Sequence, residues 1–252
     1  MKKATHSRAR NPVRAGGFTL IELLVVISII AVLIGILIPT LSSSRNNARR
    51  VKCLTNLKGI GVGVALYMDT ESKGLLLPKV RPLNSGTNTN DPSLLEVMAK
   101  YTDAAIPFEQ SPDDWVVADP WRCPSDLGSG DEATNFKPLW QSSGTSYEYP
   151  PGGLMLAAEG FFISNAQFAV SKAYESFQPS LAVLNDADDW HHPRYVSNRR
   201  TIDSGNDDSA SQKSRWDRNA LLYGDWRASK IPFTEAEDIQ RLFESIIRFA
   251  AR

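Results

Sequence analysis

Apolar positions are distributed unevenly along this chain. From Leu23 to Pro39, 17 consecutive residues carry no charge, and the 24 residues from Phe18 to Leu41 hold a single charge, Glu22. A bilayer core takes roughly 20 helical residues. One segment spans it alone only as a helix, because every backbone polar group must be satisfied within the segment. Past Leu41 the pattern turns from continuous to periodic. Asn46, Ala48, Val51, Leu54, Leu57, Ile60, Val64, Leu66 and Tyr67 recur at helical spacing between polar neighbours. The pattern predicts one helix from Phe18 to about Asp69, roughly 75–80 Å long at 1.5 Å per residue. Half of it suits lipid and half suits packing on a head domain. Pro39 interrupts the hydrogen-bond ladder and predicts a kink or local loosening. Gly59, Gly61 and Gly63 each cost about 1 kcal/mol relative to alanine in a helix. Close packing of a head against the helix accounts for them, and a helix end near Lys58 is the alternative. Gly74 closes the segment.

The remainder reads as a loop-rich head. Leu75-Leu76-Leu77-Pro78 starts the next element, and residues 79–92 suit a surface loop. Asp91 or Ser93 can cap a short helix through Leu94, Leu95, Val97, Met98 and Tyr101. Residues 105–120 read as turns around Trp115-Val116-Val117, and Ser125–Ser146 is polar and glycine-rich. Candidate strands are Phe161–Ile163, Leu181–Leu184 and Ala220–Tyr223, the last running into Gly224-Asp225. The chain closes with a helix over 234–250. Thr234 and Glu237 have capping-box spacing. Ile239, Leu242, Phe243, Ile246 and Ile247 form its apolar face, with Arg241 and Arg248 off that face.

Charge gives the anchor an orientation. Lys2, Lys3, Arg8, Arg10 and Arg14 precede the apolar run with no acidic residue among them. Basic flanks stay in the cytoplasm, so everything after about Ser42 is predicted to lie outside. Three readings of the segment stand: an anchor with an assembly role, a plain signal anchor, and a cleaved secretory signal peptide. A signal peptide has a shorter apolar region and a small-residue exit, whereas here Pro39-Thr40-Leu41-Ser42-Ser43-Ser44-Arg45 follows. A plain anchor gives Glu22 no task, and a carboxylate near lipid calls for a partner.

Gly17-Phe18-Thr19-Leu20-Ile21-Glu22-Leu23-Leu24 resembles the cleavage and methylation signal of type IV pilins and type II secretion pseudopilins. The match combines a basic leader, a glycine, a phenylalanine, an acid five residues after the glycine and a long apolar run. The resemblance implies cleavage between Gly17 and Phe18 by a prepilin peptidase, N-methylation of Phe18, and pairing of Glu22 with the terminal amine of a neighbouring subunit. It also implies a pilin-like α/β (α+β) fold, with a long N-terminal transmembrane helix packed on a loop-rich head that carries a small antiparallel sheet. Residues 1–17 are then the leader, 18–41 the transmembrane half of the helix, 42–74 its extracytoplasmic half, and 75–252 the head. The implied place is the bacterial inner membrane, single-pass, with the head in the periplasm and the subunit assembled into a pseudopilus or fibre. Other pilins or pseudopilins and an inner-membrane assembly platform are the implied partners.

Removing the leader leaves 235 residues with 23 basic against 28 acidic side chains. Such a mildly acidic body has no evident attraction for nucleic acid, so none is expected as a partner. Two further segments, Val51–Gly61 and Trp121–Asp126, resemble stretches frequent in pseudopilin-like proteins of planctomycetes and their relatives. Those proteins often end in His, nine residues, then Asp-Gly. Here Asp225 is followed by Trp226, and Arg215 stands at the histidine position, so the motif is degenerate.

Candidate chemistry is sparse. Cys53 and Cys123 are the two cysteines; outside the cytoplasm they can form a disulfide or remain two buried thiols. A bond across that loop is worth on the order of 4 kcal/mol in the chain-entropy picture. Asn185–Pro193 holds three carboxylates and two histidines, which suits a hydrogen-bonded loop or, less well, a metal. Asp203, Asp207 and Asp208 lie in an oxygen-rich, glycine-containing loop, a weak calcium candidate without the EF-hand glutamate. Nucleophile, phosphate-loop and dinucleotide motifs are missing, so no enzyme is expected. The alternative to a fibre subunit is a tethered extracytoplasmic binding module. Its version for carbohydrate would use Trp115, Trp121, Trp140 and Trp190 as stacking surfaces, residues that equally suit a loop-rich core.

Overall fold

The computed structural model describes residues 20–82, 90–112, 114–127, 137–177, 181–187, 218–231 and 236–250. Helix α1 runs without interruption from Leu20 to Ser72 and passes through Pro39. Contacts divide the chain after Arg45 into an N-terminal unit and a head unit beginning at Asn46. In the N-terminal unit every described side chain from Leu20 to Arg45 is exposed.

In the head unit, α1 supplies one face of the core. Cys53, Leu57, Ile60, Val64 and Met68 are buried along it. Their spacing of four, three, four and four residues keeps them on one stripe. Val51 and Leu66, expected on that stripe, are instead 62% and 45% exposed. They lie about 160–200° round the helix from Cys53 and Val64 at 100° per residue, on the solvent side. The helix does not end near Lys58; Lys73 and Gly74, with φ of 55° and 78°, terminate it instead.

Two of the three α1 glycines are sites of close approach. A Cβ on Gly61 would meet Leu221 Cδ2 at 2.2 Å, and one on Gly63 would meet Thr102 Cγ2 at 2.7 Å. Gly59 is looser, with Pro120 Cβ at 3.8 Å.

The rest of the head follows in the order α2 (Leu94–Met98), β1 (Phe108–Ser111), β2 (Asp114–Val116), α3 (Leu139–Ser143), β3 (Tyr147–Glu148), α4 (Pro150–Gly160), α5 (Ala166–Ser176), β4 (Ala182–Asp186), β5 (Arg218–Leu222), β6 (Ala228–Ile231) and α6 (Ala236–Ala250). β3-β4-β5-β6 form an antiparallel sheet, and β1-β2 pair separately. The fold is thus α+β and pilin-like: a long apolar N-terminal helix and a head with small antiparallel sheets. Val183, Leu184 and Leu221 of the sheet share one core with Ala169, Val170, Ala173 and Tyr174 of α5 and with the α1 stripe. α2 begins with a complete capping box, in which Ser93 and Glu96 satisfy each other's backbone N–H groups.

Three expectations change. Phe161–Ile163 is not a strand. Pro150 sits at the first position of α4, where its missing N–H costs nothing, and the helix runs on until Phe161 and Phe162 turn its end. Residues 105–120 are not turns throughout, since β1 and β2 pair within them. Among the side chains described on α6, from 240 onward, the buried ones are Leu242, Ser245 and Ile246, while Ile247 is 59% exposed; Ile239 lies outside them. Packing on α5 selects residues 242, 245, 246 and 249, which puts Ile247 on the far side.

Gly59→Ala is expected to stabilise the head by about 0.5–1 kcal/mol through helix propensity. Gly63→Ala should destabilise it by about 1–3 kcal/mol through overpacking against the α2 turn. Urea midpoints of the detergent-solubilised protein check both.

Candidate assembly segment

The N-terminal unit has the chemistry of a lipid-facing helix. Leu23, Leu24, Ile27, Ile30, Leu33, Leu37 and their neighbours are all about half exposed or more, on every side of α1. This stretch is long and apolar enough to cross a bilayer. Its hydroxyls are satisfied internally. Ser28 Oγ donates to the Val25 carbonyl at 2.8 Å, Thr40 Oγ1 to that of Leu37 at 2.8 Å, and Ser44 Oγ to that of Thr40 at 3.0 Å. A medium without water requires such internal pairing. Glu22 lies in the first turn of the helix and is exposed. A carboxylate is favoured there by the helix dipole.

The other expected positions fall as follows. Gly17 and Phe18 precede the described residues, and Asp203, Asp207, Asp208, Arg215, Trp190 and the 188–193 cluster also lie outside them, as does Thr234. Among the described residues no cluster of His, Cys, Asp and Glu suits a metal ion. Cys53 and Cys123 are joined by a disulfide, with Cα atoms 5.0 Å apart. Asp225 and Trp226 occupy the β5–β6 turn. Asp225 Oδ1 accepts from the Arg227 N–H at 3.0 Å, and Trp226 adopts a left-handed φ of 52°. That is a conformation glycine takes freely, and the resembled motif has glycine at this position. Trp226 packs its ring on Tyr223, centroids 5.9 Å apart.

Two segments singled out in the sequence meet in the head. Besides the disulfide, Asn56 Nδ2 donates to the Arg122 carbonyl at 2.8 Å, and Lys52 pairs with Asp119 at 2.9 Å. Cys123 N–H donates to Ser146 Oγ at 2.9 Å, and that hydroxyl donates to Asp126 Oδ2 at 2.8 Å. Asp126 also accepts the Leu139 and Trp140 N–H groups at the start of α3. Trp121 is fully buried, so it is not available to stack on a sugar. Trp115 and Trp140 are half-buried against the same core.

Sequence reasoning missed a direct bond between α1 and the sheet. Arg50 Nε donates to Asn219 Oδ1 at 3.0 Å, and the Asn219 N–H donates to Asp186 Oδ2 at 2.9 Å. Asp186 is fully buried on β4. Its place in an Asn-Asp-Ala-Asp-Asp run disguised it as one more loop carboxylate. Burial pushes its pKa up to about 7, against the opposing pull of the Asn219 N–H and the Arg218 and Arg50 guanidinium groups.

A model of the prokaryotic N-terminal methylation motif matches residues 13–38. The match is consistent with a prepilin motif of the type IV pilin and pseudopilin kind, and covers the segment just described. With the apolar helix it points to a single-pass membrane anchor. No curated protein and no solved structure matches the chain.

A carboxyl whose pKa is higher folded than unfolded binds its proton more tightly in the folded state. Its contribution therefore favours the fold below about pH 4 and is lost as pH rises to about 7. The urea midpoint is expected to fall between pH 4.5 and 7.5 by the equivalent of roughly 1–3 kcal/mol, and Asp186→Asn should flatten that slope. An unchanged slope in the variant would assign it to other groups.

Proposed function

We propose that this chain is a structural subunit of a type II secretion pseudopilus or type IV pilus-like fibre. The observation that supports the reading is the match to the methylation motif at 13–38, which overlaps an apolar helix whose described side chains are exposed on every side. The subunit is cut between Gly17 and Phe18 by a prepilin peptidase, methylated at Phe18, and held in the inner membrane with its head in the periplasm. An inner-membrane assembly platform extracts it from the bilayer, and other pilins or pseudopilins pack against its helix in the fibre core.

Glu22 gates that step. A lone carboxylate moved into an apolar medium costs several kcal/mol unless it is paired. The ammonium of Phe18 on a neighbouring subunit supplies a partner that exists only after cleavage. Processing and assembly are thereby linked. Helix shape sets the packing, and the Glu22–amine pair sets register. The work is mechanical, with no bond made or broken by the subunit itself.

Mass measurement and N-terminal sequencing of protein extracted from its native membrane should find N-methyl-Phe18. A chain still beginning at Met1 would favour a tethered module, and one beginning near Ser42 an ordinary secreted protein. Glu22→Ala should leave cleavage intact and reduce fibre incorporation about tenfold or more, the equivalent of about 1.4 kcal/mol. Normal incorporation would remove Glu22 from the mechanism.

A further inference from the structure

The head is joined to the membrane anchor through α1, so a pull on the head reaches the anchor along that helix. Where the pull enters the head depends on the first firm attachment. Counting from Leu20, Cys53 is the first described side chain of α1 that is buried. It is also the residue bonded to Cys123. Ahead of it, Arg50 bonds Asn219 at 3.0 Å and Lys52 pairs with Asp119 at 2.9 Å. The Lys52–Asp119 pair is half-exposed and adds little. The covalent bond therefore stands at the end of the helix–head contact that is loaded first.

The two cysteines are 70 positions apart, so 69 residues, 54–122, lie between them. That interval holds the rest of the α1 stripe, Leu57 to Met68, together with α2, β1 and β2. Without the bond, a pull from the anchor runs through all of it in chain order. Apolar contacts are individually weak and part in turn from residue 53 onward. With the bond, the pull crosses from Cys53 to Cys123 and the interval carries none of it. The receiving side is tied into the head. Trp121 is fully buried, and its carbonyl accepts the Ser146 N–H at 2.9 Å. The Cys123 N–H returns to Ser146 Oγ at 2.9 Å, and that hydroxyl donates to the buried Asp126. Asp126 in turn holds the first N–H groups of α3. Cys53 and Cys123 are both buried, so a reductant has no access to the bond while the head is folded.

We infer that the Cys53–Cys123 bond is a force bypass. A pull between anchor and head crosses the bond, and residues 54–122, with the rest of the helix–head contact, stay outside its path. The head is thereby kept seated on the α1 stripe when it is pulled against the membrane. The inference uses the anchor alone and holds whether or not the subunit enters a fibre. It differs from the bond's restriction of the unfolded chain, which stabilises the head whatever the direction of pull. A bypass works only for a pull that enters ahead of Cys53 and leaves beyond Cys123.

The experiment is single-molecule pulling on the full chain in detergent, with handles attached through azide-bearing residues. One handle is at position 252. The other is at the exposed Ser44, ahead of the bond, or at Gly153, beyond it, where an added Cβ meets no atom within 4 Å. In the unmodified protein the unfolding force from Ser44 is expected to be no lower than that from Gly153. In the Cys53→Ala/Cys123→Ala variant it should fall further for the pull from Ser44 than for the pull from Gly153. The unfolded length from Ser44 should grow by roughly 230–250 Å, the extent of 69 extended residues. An equal fall in both geometries would make the bond a general stabiliser and overturn the bypass. So would an unchanged unfolded length. A lower force from Ser44 in the unmodified protein would overturn it too, and that comparison needs no variant to fold. None of these outcomes touches the fibre reading.

Discussion

One helix in this protein has to be compatible with two media, and most of the remaining structure follows from that requirement. Up to Leu41 its exterior is apolar on all sides, and its hydroxyls turn back onto carbonyls four or fewer residues away. From Cys53 the same helix narrows to a single buried stripe. A uniform apolar surface gives the helix no preferred rotation, whereas a stripe fixes one. Residues beyond Arg45 can therefore anchor a specific head, whereas the run before it presents no single face to one.

The head holds on to that stripe by mixed means. A disulfide, a side-chain-to-carbonyl bond from Asn56 and an ion pair from Lys52 all reach the same loop, residues 119–123. The disulfide acts by restricting the unfolded chain, and the buried amide bond acts in the folded state, where an unmade partner would be expensive. The exposed Lys52–Asp119 pair adds little. Asp126 then extends the loop's order to α3, whose preceding Pro138 has no side chain able to cap it. On the sheet side, Gly61 lets α1 approach Leu221, and Arg50 reaches Asn219. Helix, loop and sheet are thereby fixed together with a modest core.

Backbone strain is placed selectively. Among the described residues three non-glycine positions have positive φ: Lys73, Phe162 and Trp226. Trp226 recovers part of its cost by packing on Tyr223, which in turn meets Tyr174 edge-on. Phe162, almost wholly in solvent, recovers little within its own head. The contrast separates a strained residue used for packing from one presented outward.

The sequence by itself determined the features set by long uniform patterns. A charge-free run of bilayer length, an acid after a glycine and a phenylalanine, and the glycine at the end of α1 needed no tertiary information. Each is a local solubility or backbone property. The β5 strand and a cap for α2 at Asp91 or Ser93 were legible for the same reason, since neighbouring residues alone dictate them; the choice of Ser93 and its full capping box came from the structure. Tertiary structure decided the rest. Short apolar runs do not distinguish a helix end from a strand, so Phe161–Ile163 read as the wrong element. Which face of α1 or α6 is buried depended on where the loop and α5 lay, and this turned Val51, Leu66 and Ile247 outward. Asp186 looked like its acidic neighbours until Asn219 and Arg50, distant in sequence, closed round it. Burial depends on contacts between distant parts of the chain, and a single sequence records those contacts least directly.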